Sequence, residues 1–198
     1  QKEILELIGQ GLPTRIIAER LGISQNTVKE YRSTLLKRVG VKNSVELVHT
    51  INQYQKTLAS SPRSMDEKRL PPPLLVVVED DDLYRELIVS ALKQAGFPCR
   101  GTANSKGMRA LLDEEKVDIV ILDLNLGTED GLEIARDLRQ QEAIDIVITT
   151  TRGMVDQRID GLATGADAYL VKPIDIRELI QVIRNLHRRR LERLSLAS

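Results

Sequence analysis

The sequence predicts a multi-domain chain, with an all-α helical bundle in front and an α/β, doubly wound, five-stranded parallel sheet behind. Three observations carry this. Residues 1–58 place apolar side chains at helical spacing throughout. Residues 59–73, ASSPRSMDEKRLPPP, are polar with four prolines and three serines, the composition of a linker that stiffens at its Pro-Pro-Pro end. Over residues 74–198, short apolar runs alternate with amphipathic helical stretches. Such alternation implies parallel strands joined by right-handed helical crossovers, with helices on both faces of the sheet.

The elements follow in order. Ile4, Leu5, Leu7 and Ile8 give a first helix an apolar face that stops at Gly9 and Gly11. Pro13 suits the first turn of a second helix, with Ile16, Ile17, Ala18 and Leu21 apolar and Gly22 at its end. Ser24 is placed to N-cap a third helix that runs to about Val39 and closes at Gly40. Asn43 or Ser44 caps a fourth, carrying Val45, Leu47, Val48 and Ile51. The five strands are expected at LLVVV (74–78), FPCR (97–100), DIVIL (118–122), DIVIT (145–149) and AYLV (168–171). A long last helix starts near Asp175 and extends to about Leu194. Its stripe of Ile180, Ile183, Leu186, Leu191 and Leu194 allows a coiled-coil element. A solvated basic end at Arg188, Arg189 and Arg190, offsetting the helix dipole, is the favoured reading.

Bulk composition narrows the functions. Hydrophobic residues make up 41% of the 198, enough for packed cores. No apolar run reaches the ~18 residues of a membrane span, and nothing resembles a signal peptide. Cys99 is the single cysteine, which excludes an internal disulfide and suits the cytoplasm. His49 and His187 stand apart and offer no metal cluster. The zero net charge hides an asymmetry: residues 1–57 hold nine Lys/Arg and five Asp/Glu, whereas residues 74–198 are net acidic. A basic front points toward a polyanion. The chain opens on Gln1 inside a helical pattern, so the natural N-terminus is expected upstream.

Ligands of doubly wound sheets bind at the carboxyl ends of the strands. Glu79, Asp80, Asp81 and Asp82 follow the first strand and Asp123 the third; Thr149, Thr150 and Thr151 close the fourth, and Lys172-Pro173 follows the fifth. Carboxylates from segments far apart in sequence therefore converge on one rim. They repel one another and call for a cation, and hard oxygen ligands suit Mg²⁺. A metal beside a carboxylate lets it attack phosphorus by offsetting the charge of the phosphoryl oxygens. A neighbouring ammonium and hydroxyl bind the same oxygens. The product is an aspartyl phosphate.

The segments VVVEDDDLYREL, VDIVILDLNLGTEDGLEIARDLR and GADAYLVKP closely resemble the CheY-like receiver family over about Leu74 to Leu186. The resemblance implies that Asp123 is the phosphoacceptor, that Glu79 and Asp80 form the acidic pair, with Asp80 favoured as direct Mg²⁺ ligand, and that Asn125 offers the metal its backbone carbonyl. It assigns Thr150 as the switch hydroxyl within the Thr run, Lys172 as the phosphate-pairing lysine and Tyr169 as the aromatic that changes rotamer, although a packed core aromatic fits Tyr169 equally. Asp81 matches a variable acidic position outside the core site. Gly127 stands where the family usually has Pro, which loosens the loop after the acceptor. Asn125 and Arg152 occupy positions that tune dephosphorylation.

The run GLPTRIIAERLGISQNTVKEYRSTLLKRVGVKN places two helices about a tight turn at Leu21-Gly22-Ile23-Ser24, the pattern of a DNA-binding helix-turn-helix. Ile17, Ala18, Leu21, Val28 and Leu35 can form its core. The third helix is expected to expose Lys29, Arg32, Lys37 and Arg38, and its N-terminal end offers free N–H groups with Asn26 and Thr27 for phosphate contact. From Gln1 to about Tyr54 the spacing closely resembles the LuxR/NarL/FixJ-type output domain. In that family the positions of Lys29, Glu30 and Ser33 meet base edges; Lys29 would reach guanine and Glu30 cytosine. The fourth helix is the family's dimer surface, with Val45, Val48 and His49 as candidates.

Most relatives carry the receiver first, so the order here is reversed. The resemblance implies a phosphorylation-controlled transcription regulator of a two-component system. Its expected partners are DNA, a histidine kinase or phosphotransfer protein, and a second copy of itself, without a membrane. Beyond its own phosphorylation and dephosphorylation, no enzyme activity is expected. Phosphorylation would pair DNA-binding units by receiver dimerisation, or uncover a recognition helix that the receiver masks. The alternatives are DNA binding that ignores phosphorylation, and a signalling module or phosphate sink with vestigial DNA binding.

Overall fold

The computed structural model describes residues 2–56, 71–141, 144–151 and 165–196. The linker up to residue 70, Arg152 and most of the segment before the fifth strand lie outside the described residues.

Four helices come first: α1 (Lys2–Gly9), α2 (Thr14–Leu21), α3 (Gln25–Val39) and α4 (Ser44–Lys56). Their ends are set by local chemistry. Pro13 takes the N-cap of α2 rather than its first turn, because its ψ of 146° is extended and not helical. The Ser24 hydroxyl accepts the Thr27 N–H at 3.0 Å and starts α3. Asn43, not Ser44, caps α4: its Oδ1 accepts from the N–H groups of Val45 and Glu46, both at 3.0 Å. Glu46 returns a carboxylate to the Lys42 N–H at 2.9 Å, so the cap is reciprocal.

The second unit is a parallel sheet of β1 (Leu75–Val78), β2 (Cys99–Thr102), β3 (Ile119–Asp123), β6 (Asp145–Thr151) and β7 (Ala168–Lys172). Its order is β2-β1-β3-β6-β7, the doubly wound arrangement expected from the sequence. β2 begins two residues later than FPCR because Pro98 has no N–H to give; its carbonyl instead accepts the Leu75 N–H at 2.9 Å. A two-residue antiparallel pair, β4 (Asn125–Leu126) with β5 (Glu129–Asp130), lies just beyond β3 and was not anticipated.

Helices α5 (Asp82–Gln94), α6 (Ser105–Glu114), α7 (Gly131–Gln141) and α8 (Ile176–Leu196) cover the sheet. Strand alternation splits the core in two. Leu75, Val77, Ile119, Ile121 and Val147 face α5 and α8, whereas Val76, Val78, Val120, Leu122, Ile146 and Ile148 face α6 and α7. The basic end of α8 is not merely solvated. Arg190 pairs with Asp118 at 3.4 Å and Arg193 with Asp145 at 3.2 Å, tying the helix to the amino ends of β3 and β6.

The first of these cores does not stop at the sheet. It is continuous with Ile4, Leu5, Ile8, Ile17, Val28, Leu35, Leu47 and Ile51 of the helical bundle. Helix α5 is the shared element, packed on β1 and β2 beneath it and on α1, α3 and α4 above. It therefore buries Leu83, Tyr84, Leu87, Ile88, Val89, Ala91 and Leu92, a wider apolar face than a helix covering one sheet needs.

Candidate functional site

The strand ends put the polar residues on one rim. Glu79 and Asp80 leave β1, Asp123 ends β3, Thr149, Thr150 and Thr151 close β6, and Lys172 ends β7. Glu79, Asp123 and Lys172 are all buried. The Lys172 ammonium donates to Glu79 Oε2 at 2.7 Å and to Asp123 Oδ2 at 2.9 Å. It also sits 4.5 Å from the centre of the Tyr84 ring. The Asn125 N–H holds the other acceptor oxygen, Asp123 Oδ1, at 3.1 Å. Burial pushes the Glu79 carboxyl up to about 7; Lys172 opposes this and the Asp123 charge adds to it.

Oxygens of Glu79, Asp80 and Asp123 lie within 4.8 Å of one another. Asp80 Oδ1 is buried without a hydrogen-bond partner, an orphan acceptor inside a cluster of anions. Three carboxylates with an unsatisfied oxygen suit a hard divalent cation. Gly127 takes φ +64° beside Asp80, so the loop after the acceptor uses backbone freedom that proline lacks. Thr149, directly opposite Asp123 in the sheet, is turned to the Leu122 carbonyl at 3.4 Å. Thr150 is buried one residue further on, and Tyr169 is half-buried against the α6–α7 core. Asp81 caps α5, accepting the Tyr84 N–H at 2.8 Å, and so has a local structural role.

One cation in the pocket was not expected. Arg38, in the last turn of α3, reaches across from the helical bundle. Its Nη2 lies 2.5 Å from Asp80 Oδ2, and its Nη1 lies 2.9 Å from the Asn125 carbonyl and 3.3 Å from Asp123 Oδ2. Glu79 Oε1 is 3.6 Å away. Burial works against this charge, but the joint field of Glu79, Asp80 and Asp123 outweighs it and raises the guanidinium pKa. Beside it, the open φ of Gly40 lets the helix end lie on the Lys172-Pro173 backbone. A Cβ there would meet the Lys172 carbonyl at 3.1 Å.

The sequence places Arg38 and Arg32 on an exposed basic face, and here the structure corrects it. Arg38 is in the acidic pocket with its side chain 24% exposed, and Arg32 is half-buried, donating to the Leu12 carbonyl. No local pattern signals the Arg38 contact, because its partners lie 42 and 85 residues away. Asn26, Lys29, Glu30 and Ser33 are exposed along α3, and Thr27 is half-buried with its hydroxyl 2.8 Å from that of Ser24. The other unit therefore does not cover this face, contrary to one expected route of masking. Val45 is 79% exposed, and Val48 and His49 also line the open side of α4.

The model for the response regulator receiver domain matches residues 75–184. The chain belongs to the response regulator family. Ahead of the receiver, the model for bacterial regulatory proteins of the luxR family matches residues 1–51, so the reversed order of the two domains holds.

The receiver is 38% identical over 97 residues to the TorCAD operon transcriptional regulatory protein TorR of Escherichia coli K12, covering 49% of this chain and 42% of that protein. It is 37% identical over 108 residues to the phosphate regulon transcriptional regulatory protein PhoB of Pseudomonas aeruginosa, covering 53% and 47%. The chain thus spans less than half the length of these relatives. Among solved structures, the receiver domain of TorR superposes with a TM-score of 0.57 at 36% identity, over 60% of this chain and 98% of that one. The BeF3-activated receiver domain of Klebsiella pneumoniae RstA does so at 0.53 and 30% identity, over 56% and 95%. Among the described residues, no helix is long and apolar enough to cross a membrane.

Proposed function

We propose that this response regulator is a cytoplasmic, phosphorylation-controlled DNA-binding transcription regulator that accepts a phosphoryl group on Asp123 from a histidine kinase or phosphotransfer protein. The observation that supports it best is the convergence of Glu79, Asp80, Asp123 and Lys172 at the carboxyl edge of the sheet. We divide the chain as a DNA-binding domain at 1–58, a linker at 59–73 and a receiver at 74–198.

In this reading Asp80, Asp123 and the Asn125 carbonyl would hold Mg²⁺, with Glu79 beside them. When bound, the metal offsets negative charge on the phosphoryl oxygens. A carboxylate oxygen of Asp123 attacks phosphorus, and the bond from phosphorus to the donor nitrogen breaks. The electron pair leaves with the donor imidazole, and an acyl phosphate forms on Asp123. Lys172 needs only to transfer its hydrogen bond from Asp123 Oδ2 to a phosphoryl oxygen. The ammonium is already oriented by Glu79 and by the Tyr84 face. Thr150 takes the switch role and Tyr169 follows it.

The output is DNA contact through Asn26, Thr27, Lys29, Glu30, Arg32 and Ser33. Arg32 would first have to leave the Leu12 carbonyl. Dimerisation through α4 would pair two half-sites. A second reading, DNA binding that ignores phosphorylation, is favoured by the exposure of Asn26, Lys29, Glu30 and Ser33 in the docked arrangement.

Intact mass after incubation with acetyl phosphate and Mg²⁺ tests the acceptor. The wild type gains one phosphoryl group and Asp123→Ala gains none. Equal labelling of both, or labelling of neither, removes the proposed chemistry.

A further inference from the structure

Resting on the reading of the acidic pocket as a divalent-cation site, we propose that Arg38 is a tethered competitor for that cation, so that metal binding and docking of α3 on the receiver oppose one another. The guanidinium does not touch the pocket at random. It meets Asp80 at 2.5 Å, the Asn125 carbonyl at 2.9 Å and Asp123 at 3.3 Å, the three groups that would hold Mg²⁺. A guanidinium and a divalent cation repel each other and need the same lone pairs. Both cannot be satisfied by one set of oxygens.

The approach of α3 makes the arginine necessary. Its C-terminal end, the negative end of the helix dipole, lies on the Lys172-Pro173 backbone beside the carboxylate pocket. Without a cation between them the two would repel. Arg38 supplies that cation from the helix itself, and Gly40 permits the close seating on the Lys172 carbonyl. Expulsion of Arg38 by a metal strips α3 of these contacts and sets its guanidinium against a bound cation of like charge, which weakens the dock.

The consequence reaches the DNA face. Helix α3 is continuous from Gln25 to Val39, so its last turn and its exposed Asn26, Lys29, Glu30 and Ser33 move as one rod of roughly 22 Å. An event at the acidic pocket is thus mechanically joined to the recognition surface through one side chain. The competing cation differs from a simple cover over the DNA face, which the exposure of those residues does not support.

Calorimetric titration of the full chain with MgCl₂, without any phosphodonor, tests this. Arg38→Ala should bind Mg²⁺ about tenfold more tightly than the wild type, as expected when a competitor of about 1.4 kcal/mol is removed. Arg20→Ala removes an exposed charge from the same domain and should match the wild type. In the wild type alone, hydrogen exchange of the α3 and α4 amides should quicken when Mg²⁺ is added. Equal affinity of Arg38→Ala and wild type, or unchanged exchange, would overturn the competition and leave the cation site standing. No Mg²⁺ binding by any of the three proteins would overturn both.

Discussion

Lys172 holds two buried carboxylates at once, and its removal shows what the pocket demands. Lys172→Ala leaves Glu79 and Asp123 facing each other with one compensating charge fewer. The loss should be about 3–5 kcal/mol, read from the urea midpoint, because breaking a buried pair leaves charge uncompensated. Cys99 makes a second prediction at this scale. Burial pushes its thiol from 9.0 up to about 12, with Lys93 opposing. A folded pKa above the unfolded one means the folded state binds the extra proton. The contribution is full below pH 9 and is lost as pH rises toward 12. Cys99→Ala should therefore flatten the decline of stability in that window, and native Cys99 should resist alkylation at pH 8. The placement of Asp123, Asp80 and Lys172 on one rim was legible in the sequence because each ends an apolar strand or lies within two residues of its end. Arg38 was not, because a basic residue in a last helical turn has the same local signature whether it faces solvent or a distant carboxylate.

Helix ends and strand ends were the most readable elements, since Ser24, Gly22 and Gly40 act through bonds within a few residues. The exceptions have local causes too. Pro13 stays outside α2 because its ψ is extended, and β2 starts late because Pro98 cannot donate. The end of α8 was less readable. Its arginines could have been solvated, but Arg190 and Arg193 reach Asp118 and Asp145. Burial, followed by the charge of Asp167, raises the Asp145 carboxyl, and Arg193 restrains that rise. Replacing both arginines with Ala should lower stability by about 1 kcal/mol, most clearly at low salt, since Arg193 is largely exposed. A denaturant midpoint that does not move would mean the end of α8 is held by its apolar stripe of Ile180, Ile183 and Leu186 alone.

At the scale of the whole molecule, the sequence showed two units but not the surface that joins them. Helix α5 reads as an amphipathic receiver helix, and its second apolar face becomes meaningful only when α1, α3 and α4 are seen against it. The resulting continuous core makes the state of the receiver relevant to the DNA-binding domain, whichever comes first in the chain. Phosphorylation of Asp123 governs DNA binding in the proposed function, and a gel shift at fixed salt measures that dependence. Wild type and Asp123→Ala are titrated onto a duplex selected from a random pool by the phosphorylated wild type, each with and without acetyl phosphate and Mg²⁺. Phosphorylation should tighten binding by the wild type at least tenfold and leave Asp123→Ala unchanged. Equal binding by both proteins under both conditions would contradict it.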